Sequence, residues 1–534
     1  MISVVRSSCE TSILMKNTFP LLFKPHRMHN RHILAVAGRS RNFSELATEE
    51  LIRVDRSQTK YRRTFSTNRR KSATKTTFNE QKQREKGKKN KSHFISSGEF
   101  VSRGDHQFQD FPPYHLDVFI SCLAGLETIL STELKNLNIA HKVSLHGVWL
   151  INPTIESIMA CHLYLGTASN ILLRCGIPFS ARGLAELRRK TSKLPWKQIL
   201  KRDIRLEARA TSAKSKLYHT AAIQERVIAG IYDALGYDLP DPLEGAVAIP
   251  EEIRKINDDD TSLVKLDIRI LRDQVEIFLK TSQTPLHQRG YRLQTAKAPL
   301  REDLAFAMLW ASGWTTLYSG YQQSEEAGVL KRSFGTMLDP FCGSGTIAIE
   351  AASIAAGLPP GRLRSAPFIG TCLESNQKWL SLIQKSIPLE QPESNRKIIC
   401  ASDRDQGAVS ITSANAERAG VLEFMDLRQS SLSSNPLLET PGRIHDEPLL
   451  IATNPPFGKR ISPTRSKGKD FKLLPLYQTL GHRIQRLVDN GNIVGATILT
   501  NNPNLLGSTG LPLKSLLKST HGGMTVNFMF FKTS

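Results

Sequence analysis

At 534 residues with 40% hydrophobic content, the chain is too long for one core and has the apolar content of globular protein. Its formal charge of +23 points to a polyanionic partner, and no apolar run approaches the length needed to cross a bilayer as a helix. Seven scattered cysteines with no C-x-x-C pair argue against a disulfide framework or a zinc site and fit a reducing compartment; no metal is expected.

In chain order, residues 1–43 read as an organelle presequence, with seven Lys or Arg and a single acid, Glu10, among hydroxyl residues and short apolar patches. Arg41-Asn42-Phe43-Ser44 and Arg63-Thr64-Phe65-Ser66 look like mitochondrial processing sites; a plastid address is the alternative. Residues 44–116 form a basic linker of Lys, Arg, Ser, Thr and Gln, expected to be disordered. Residues 1–116 hold 23 basic and 10 acidic side chains, so +13 of the excess lies ahead of the folded part.

Residues 117–283 alternate short strands and helices. Leu116 to Ser121 and Val148 to Ile151 read as strands, and 125–137 carries apolar residues at 126, 129, 130 and 134 on one helical stripe. A second block holds a strand from Ile204, a helix over 220–235, and a hairpin of 263–271 with 274–280 turning at Arg272-Asp273. Lys216, Tyr218 and His219, at the start of that helix, suit phosphate or base-stacking contacts, although a histidine there is more often an ordinary helix-start residue. Downstream, Arg289 and Arg292 could approach RNA, close over a cofactor, or form a salt-bridge cluster linking domains.

From residue 284 the pattern is that of an open α/β sheet. Leu338-Asp339-Pro340-Phe341-Cys342-Gly343-Ser344-Gly345-Thr346 is a strand, a glycine turn and the start of an Ala-rich helix. Gly343 and Gly345 remove Cβ atoms where a ligand lies against the backbone. The spacing also admits NAD, since Ala348 stands where a third glycine would, but Asp339 at the strand end suits a cationic ammonium group such as that of S-adenosylmethionine. Asp403 ends the next strand, where a carboxylate accepts both ribose hydroxyls, and Asp405 reads as the cap of the following helix. Strand 448–453 then runs into Asn454-Pro455-Pro456-Phe457-Gly458. Two carbonyl acceptors and a flat ring there can grip a planar amine. The segment 357–396 has an amphipathic middle and no evident chemical role.

The motifs DPFCGSGT, SDxD and NPPFG, in this order, resemble the RlmKL-type family of S-adenosylmethionine-dependent RNA guanine-N2 methyltransferases. Asp117 to Glu133, Ser215 to Thr220 and Thr281 to Leu293 resemble the same family's front region, so the similarity covers roughly four fifths of the chain. The resemblance implies a Rossmann-like class I methyltransferase domain over 284–534, preceded by a ferredoxin-like and THUMP RNA-binding region over 117–283. It implies that Asp339, Phe341, Cys342, Gly343, Ser344, Gly345, Thr346 and Asp403 hold the cofactor. Asn454, Pro455, Pro456 and Phe457 would then act on the base. The family's acid after the third strand is missing here, where the chain reads Leu427-Arg428-Gln429-Ser430-Ser431, and Ser431 is taken as its replacement. The expected substrate is large-subunit ribosomal RNA. Transfer RNA, a protein glutamine or a non-catalytic RNA-binding role in ribosome assembly are the alternatives.

Overall fold

The computed structural model describes residues 116–237, 250, 262–293, 299–314, 336–388, 398–439, 449–457, 469–491 and 493–532. Of the presequence and linker expected over residues 1–116, residues 1–115 lie outside them, as does Gly458 of the Asn-Pro-Pro-Phe box.

Two sheets carry the described residues. In the first, the strands are β1 (Val118–Cys122), β2 (His141–Ser144), β3 (Gly147–Leu150), β4 (Ala168–Arg174), β5 (Phe179–Ser180), β6 (Ile204–Ala213), β7 (Ser262–Leu271) and β8 (Gln274–Lys280). They run in the order β2-β3-β1-β4-β8-β7-β6, with β5 also on β8. Five helices belong to this part: α1 (Glu127–Asn136), α2 (Ile155–Tyr164), α3 (Leu184–Thr191), α4 (Trp196–Ile199) and α5 (Thr220–Leu235). The two blocks that the sequence separates are therefore one sheet, joined where β4 pairs with β8. The expected hairpin forms at Arg272 and Asp273, whose φ values of 52° and 62° match the twist of a two-residue hairpin turn.

Helix α6 (Glu302–Ala311) leads to the second sheet. Its strands are β9 (Thr336–Asp339), β10 (Ile399–Asp403), β11 (Met425–Gln429), β12 (Leu449–Thr453), β13 (Ile493–Thr500), β14 (Lys514–His521) and β15 (Met524–Lys532). Helices α7 (Thr346–Ala355), α8 (Asn376–Ser386), α9 (Gln406–Ala419), α10 (Pro436–Glu439), α11 (Lys469–Asp489) and α12 (Pro503–Gly507) accompany them. The order is β11-β10-β9-β12-β13-β15-β14, with β9 to β13 parallel and β15 antiparallel to both neighbours. From β9 the chain winds one way through β10 and β11, then returns to β12 on the other side of β9. The carboxyl ends of β9 and β12 therefore face a topological switch point, where such sheets bind ligands.

Two of the arginines assigned to RNA are corrected here. Arg289 is 2% exposed, donates to the carbonyls of Leu286 at 2.8 Å and Gly166 at 2.6 Å, and pairs with Glu350 of α7 at 3.4 Å. Arg292 pairs with Glu302 at 2.9 Å and donates to Leu300 O at 2.7 Å. Both cations are consumed inside the protein, so the linking cluster is the account that holds. Burial pushes the Glu302 carboxyl up to about 7, with Arg292 pulling the other way.

The segment after α7, for which the sequence offered no role, fastens the two sheets together. Trp379 of α8 packs with Met159 and Leu163 of α2, and its indole N–H donates to Arg364 O at 3.2 Å. Backbone bonds follow along the segment: Gly361 N to Leu163 O at 2.8 Å, Phe368 N to Thr281 O at 2.8 Å, and Cys372 N to Ile199 O at 2.9 Å. The Lys378–Glu156 pair adds little, being more than half exposed on both sides. Trp379→Ala is expected to cost about 3–5 kcal/mol. Hydrogen exchange under mild denaturant should show both sheets losing protection together; a first sheet that kept its protection would contradict this coupling.

Candidate active site

Asp339 ends β9, is 1% exposed, and its Oδ1 accepts from Thr453 Oγ1 at 2.7 Å and Phe341 N at 3.1 Å. Thr453 is the last residue of β12, so this bond ties the two strand ends at the switch point and brings Asn454 beside them. Burial pushes the Asp339 carboxyl up to about 7; the Thr453 and Phe341 bonds oppose the rise and Asp403 adds to it.

The glycine turn is built on this end. Gly343 and Gly345 have φ of 57° and 84°, the left-handed region in which a side chain is strained. A Cβ on Gly345 would run into Thr412 of α9, whereas one on Gly343 would meet nothing within 4 Å, so Gly343 borders open space. Asp403 fixes the turn from β10, its Oδ2 accepting from Gly343 N at 3.1 Å and its Oδ1 from Asp405 N at 3.0 Å. Asp405 caps α9 through Gly407 N at 2.9 Å, as its position in the sequence suggested.

The other turn residues are structural in their contacts. Cys342 is buried, its Sγ 3.7 Å from Thr412 Oγ1, and burial pushes its thiol up, which removes it as a nucleophile. Ser344 O accepts from Asn415 Nδ2 at 3.0 Å, and Thr346 Oγ1 reaches Leu300 O at 3.5 Å. Phe341 packs its ring on the cluster of β12 and α11 residues.

On the other side of the switch point, Pro455 and Phe457 are buried and Pro456 is exposed. Tyr477 of α11 donates to Pro456 O at 3.4 Å, which holds the box against the helix. Asn454 is the exception to this satisfied environment. Its Oδ1 is buried and has no hydrogen-bond partner among the described residues. A buried carbonyl oxygen without a donor is unfavourable by about 1–3 kcal/mol. It is explained if a ligand supplies the donor.

The third strand differs from expectation. Ser431 Oγ is engaged with the hydroxyls of Ser433 at 2.9 Å and Ser434 at 2.8 Å. Its neighbour Ser430 carries the buried Oγ that has no partner among the described residues, while Ser430 N donates to Asp403 O at 3.0 Å. The adjacent pair of serines gave no sequence signal to choose between them. Lys216, Tyr218 and His219 lie in the exposed loop between β6 and α5, apart from this site.

The residues present fit a ligand that is cationic at one end and offers hydrogen-bond donors. Asp339, Asp403 and Ser430 surround the strand ends, and Gly343 leaves room. Among the described residues no cluster of three or more potential metal ligands occurs.

For the pH dependence of the empty protein, the sign follows from Asp339 being more basic folded than its ordinary value of 3.8. Its contribution to stability is complete below that value and is lost as pH rises through about 7. Asp339→Asn should therefore gain on the parent as pH rises from 4 to 8, read as urea midpoints; parallel profiles would refute the assignment.

Residues 330–508 match the family model described as UPF0020, RMKL-like, methyltransferase domain. Among curated proteins, the chain is 25% identical over 422 residues to a Ribosomal RNA large subunit methyltransferase K/L from Saccharophagus degradans, covering 78% of this chain and 50% of the relative. A protein of the same name from Legionella pneumophila strain Lens is 29% identical over 404 residues, covering 74% of this chain and 50% of its own length. The chain thus spans about half the length of these relatives. Among solved structures, a chain from Clostridium difficile 630 described as a possible methylase superposes with a TM-score of 0.60 at 24% identity, covering 78% of this chain and 98% of that one. SMU.472, solved in complex with SAH, gives 0.60 at 23% identity with the same coverage. These likenesses establish the fold, and the family match lies across the strand ends that carry Asp339, Asp403 and Asn454. Over residues 330–508 the chain is thus similar to the RMKL-like methyltransferase domain.

Proposed function

We propose that the protein transfers a methyl group from S-adenosylmethionine to the N2 amine of a guanine in large-subunit ribosomal RNA. The observation that carries this reading is the buried, unpartnered Asn454 Oδ1 at the switch point beside Asp339. The names of the curated relatives support the ribosomal substrate. The family resemblance supports guanine N2 and a THUMP-type front region. The basic, acid-poor residues 1–43 support a mitochondrial location.

S-adenosylmethionine is the cofactor, and it supplies an electrophilic methyl group on a sulfonium. In this reading Asp403 would accept the ribose hydroxyls, Ser430 Oγ would meet the adenine edge, and Asp339 would face the cationic end. Asn454 Oδ1 would accept a hydrogen bond from the target amine, whose lone pair is otherwise delocalised into the base, and Pro455 O would be the second acceptor. Phe457 offers a flat face to a base withdrawn from its stack. The protein's work is alignment, a term that can reach ~7–11 kcal/mol for well-placed partners. No strong general base is needed, because the amine proton becomes acidic only as the nitrogen is methylated.

Asn454→Ala should abolish transfer while leaving cofactor affinity unchanged, because Asn454 meets the amine and not the donor. Labelled methyl transfer to ribosomal RNA with nucleoside analysis, paired with calorimetry, reads both quantities; label recovered as any product other than N2-methylguanosine overturns the base assignment. Ser430→Ala should weaken S-adenosylhomocysteine binding by about 0.5–1.5 kcal/mol and Ser431→Ala should not. The reverse order in the same titration would return the adenine contact to Ser431.

A further inference from the structure

Asn501 and Asn502 follow β13, and their contacts set them apart. Asn502 serves the fold: its Oδ1 accepts from Leu505 N at 3.3 Å, capping α12, and its N–H donates to Thr500 Oγ1 at 3.0 Å. Asn501 is held from one side. Its Nδ2 donates to the sulfur of Met524, the first residue of β15, at 3.4 Å, while its Oδ1 is buried and meets no donor among the described residues. A thioether is a weak acceptor, so this contact orients the amide more than it fastens the hairpin of β14 and β15. An asparagine kept only for that hairpin would gain nothing from a bare carbonyl oxygen, which is unfavourable until a ligand brings the donor.

Asn501 stands at the same edge of the sheet as Asn454. Strands β12 and β13 are parallel neighbours with Thr453 opposite Ile498, so Asn454 lies one residue and Asn501 three residues beyond that pair. With strands about 4.8 Å apart and a rise of about 3.3 Å per residue, the two Cα atoms are on the order of 8 Å apart, within reach of side chains that hold one base edge between them. The two segments are also linked through α11. The Tyr477 hydroxyl donates to Pro456 O at 3.4 Å and meets the side chain of Thr500, the residue before Asn501.

We propose that Asn501 determines which base is accepted, its Oδ1 receiving the ring N1–H of guanine while Asn454 Oδ1 and Pro455 O take the two protons of N2. The inference rests on the guanine-N2 reading above and adds the residue that selects guanine. Among the RNA bases only guanine carries an amine beside a ring N–H. Adenine and cytosine present a ring-nitrogen lone pair next to theirs, which would face the Asn501 oxygen acceptor to acceptor, and a glutamine amide has no further proton to give. Selection of this kind is steep, because the wrong group leaves a buried polar atom unpaired.

The test uses the full chain and transcripts of large-subunit ribosomal RNA whose methylated nucleotide has been mapped, carrying at that position either guanosine or 2-aminopurine riboside. The second base keeps the 2-amine but has a lone pair at N1. In Asn501→Ala the ratio of kcat/KM for guanosine over 2-aminopurine should fall roughly 5- to 100-fold, through loss on guanosine. Affinity for S-adenosylhomocysteine should not change, which also reports that the variant is folded. Asn501→Asp keeps an acceptor and should keep the ratio, whereas Asn501→Leu, close in shape, should lose it; a residue that only packs would give the reverse order. Equal losses on the two bases in folded variants, with N2-methylguanosine still the product, would overturn the role of Asn501 and leave the reaction standing. A parent product other than N2-methylguanosine would instead remove the proposed reaction, and this inference with it.

Discussion

Helix α7 carries a carboxylate, Glu350, at 4% exposure, and this buried charge constrains much of the surrounding structure. Removing one partner of such a pair typically destabilises by about 3–5 kcal/mol, so the partners must be in place whenever the helix is. They come from the segment that follows the first sheet: Arg289 pairs with Glu350 at 3.4 Å and Tyr291 OH donates to it at 3.1 Å. Arg289 in turn reaches Gly166 O, just before β4. The amino end of the same helix is the glycine turn, so the geometry at Gly343 depends on contacts made by residues that precede the second sheet.

The catalytic half was legible to the extent that function wrote itself into residue type. Strands that end in carboxylates, glycines with positive φ and a Pro-Pro box each leave a local mark, and the elements carrying them lie within a residue or two of where periodicity put them. Strand β14 escaped because it is an edge strand, with five of its eight residues exposed and so no buried alternation to read. Strand β2 is the corresponding edge of the first sheet, none of its four residues buried. Arg289 and Arg292 looked like surface cations in sequence because charge suggests exposure. Only their distant partners, Gly166 and Glu350 for one and Glu302 for the other, show them to be interior. Long-range pairing leaves no periodic trace.

Polar accounting at the strand ends separates scaffold from site. Thr453 and Phe341 N bond one oxygen of Asp339, Gly343 N and Asp405 N bond one oxygen each of Asp403, and Thr412 and Asn415 close the backbone of the turn. Against this background the unpartnered Asn454 Oδ1 and Ser430 Oγ stand out on opposite flanks of Asp339 and Asp403, one after β12 and one after β11. A single elongated ligand and a flat base between those flanks would satisfy both.

The fastening segment also bears on how such proteins can be recombined. Covalently, residues 281–335 join the two sheets, and a chimera with a relative would naturally be cut there. Yet Gly361 approaches the end of α2 so closely that a Cβ would strike the His162 and Leu163 backbone, and Arg364 donates to the carbonyls of His162 and Leu286. Part of the surface that receives the first sheet is therefore encoded after α7, well inside the second half of the chain. A functional graft has to carry residues 357–388 along with the front half that they fit, making the unit of exchange discontinuous in the gene although continuous in space.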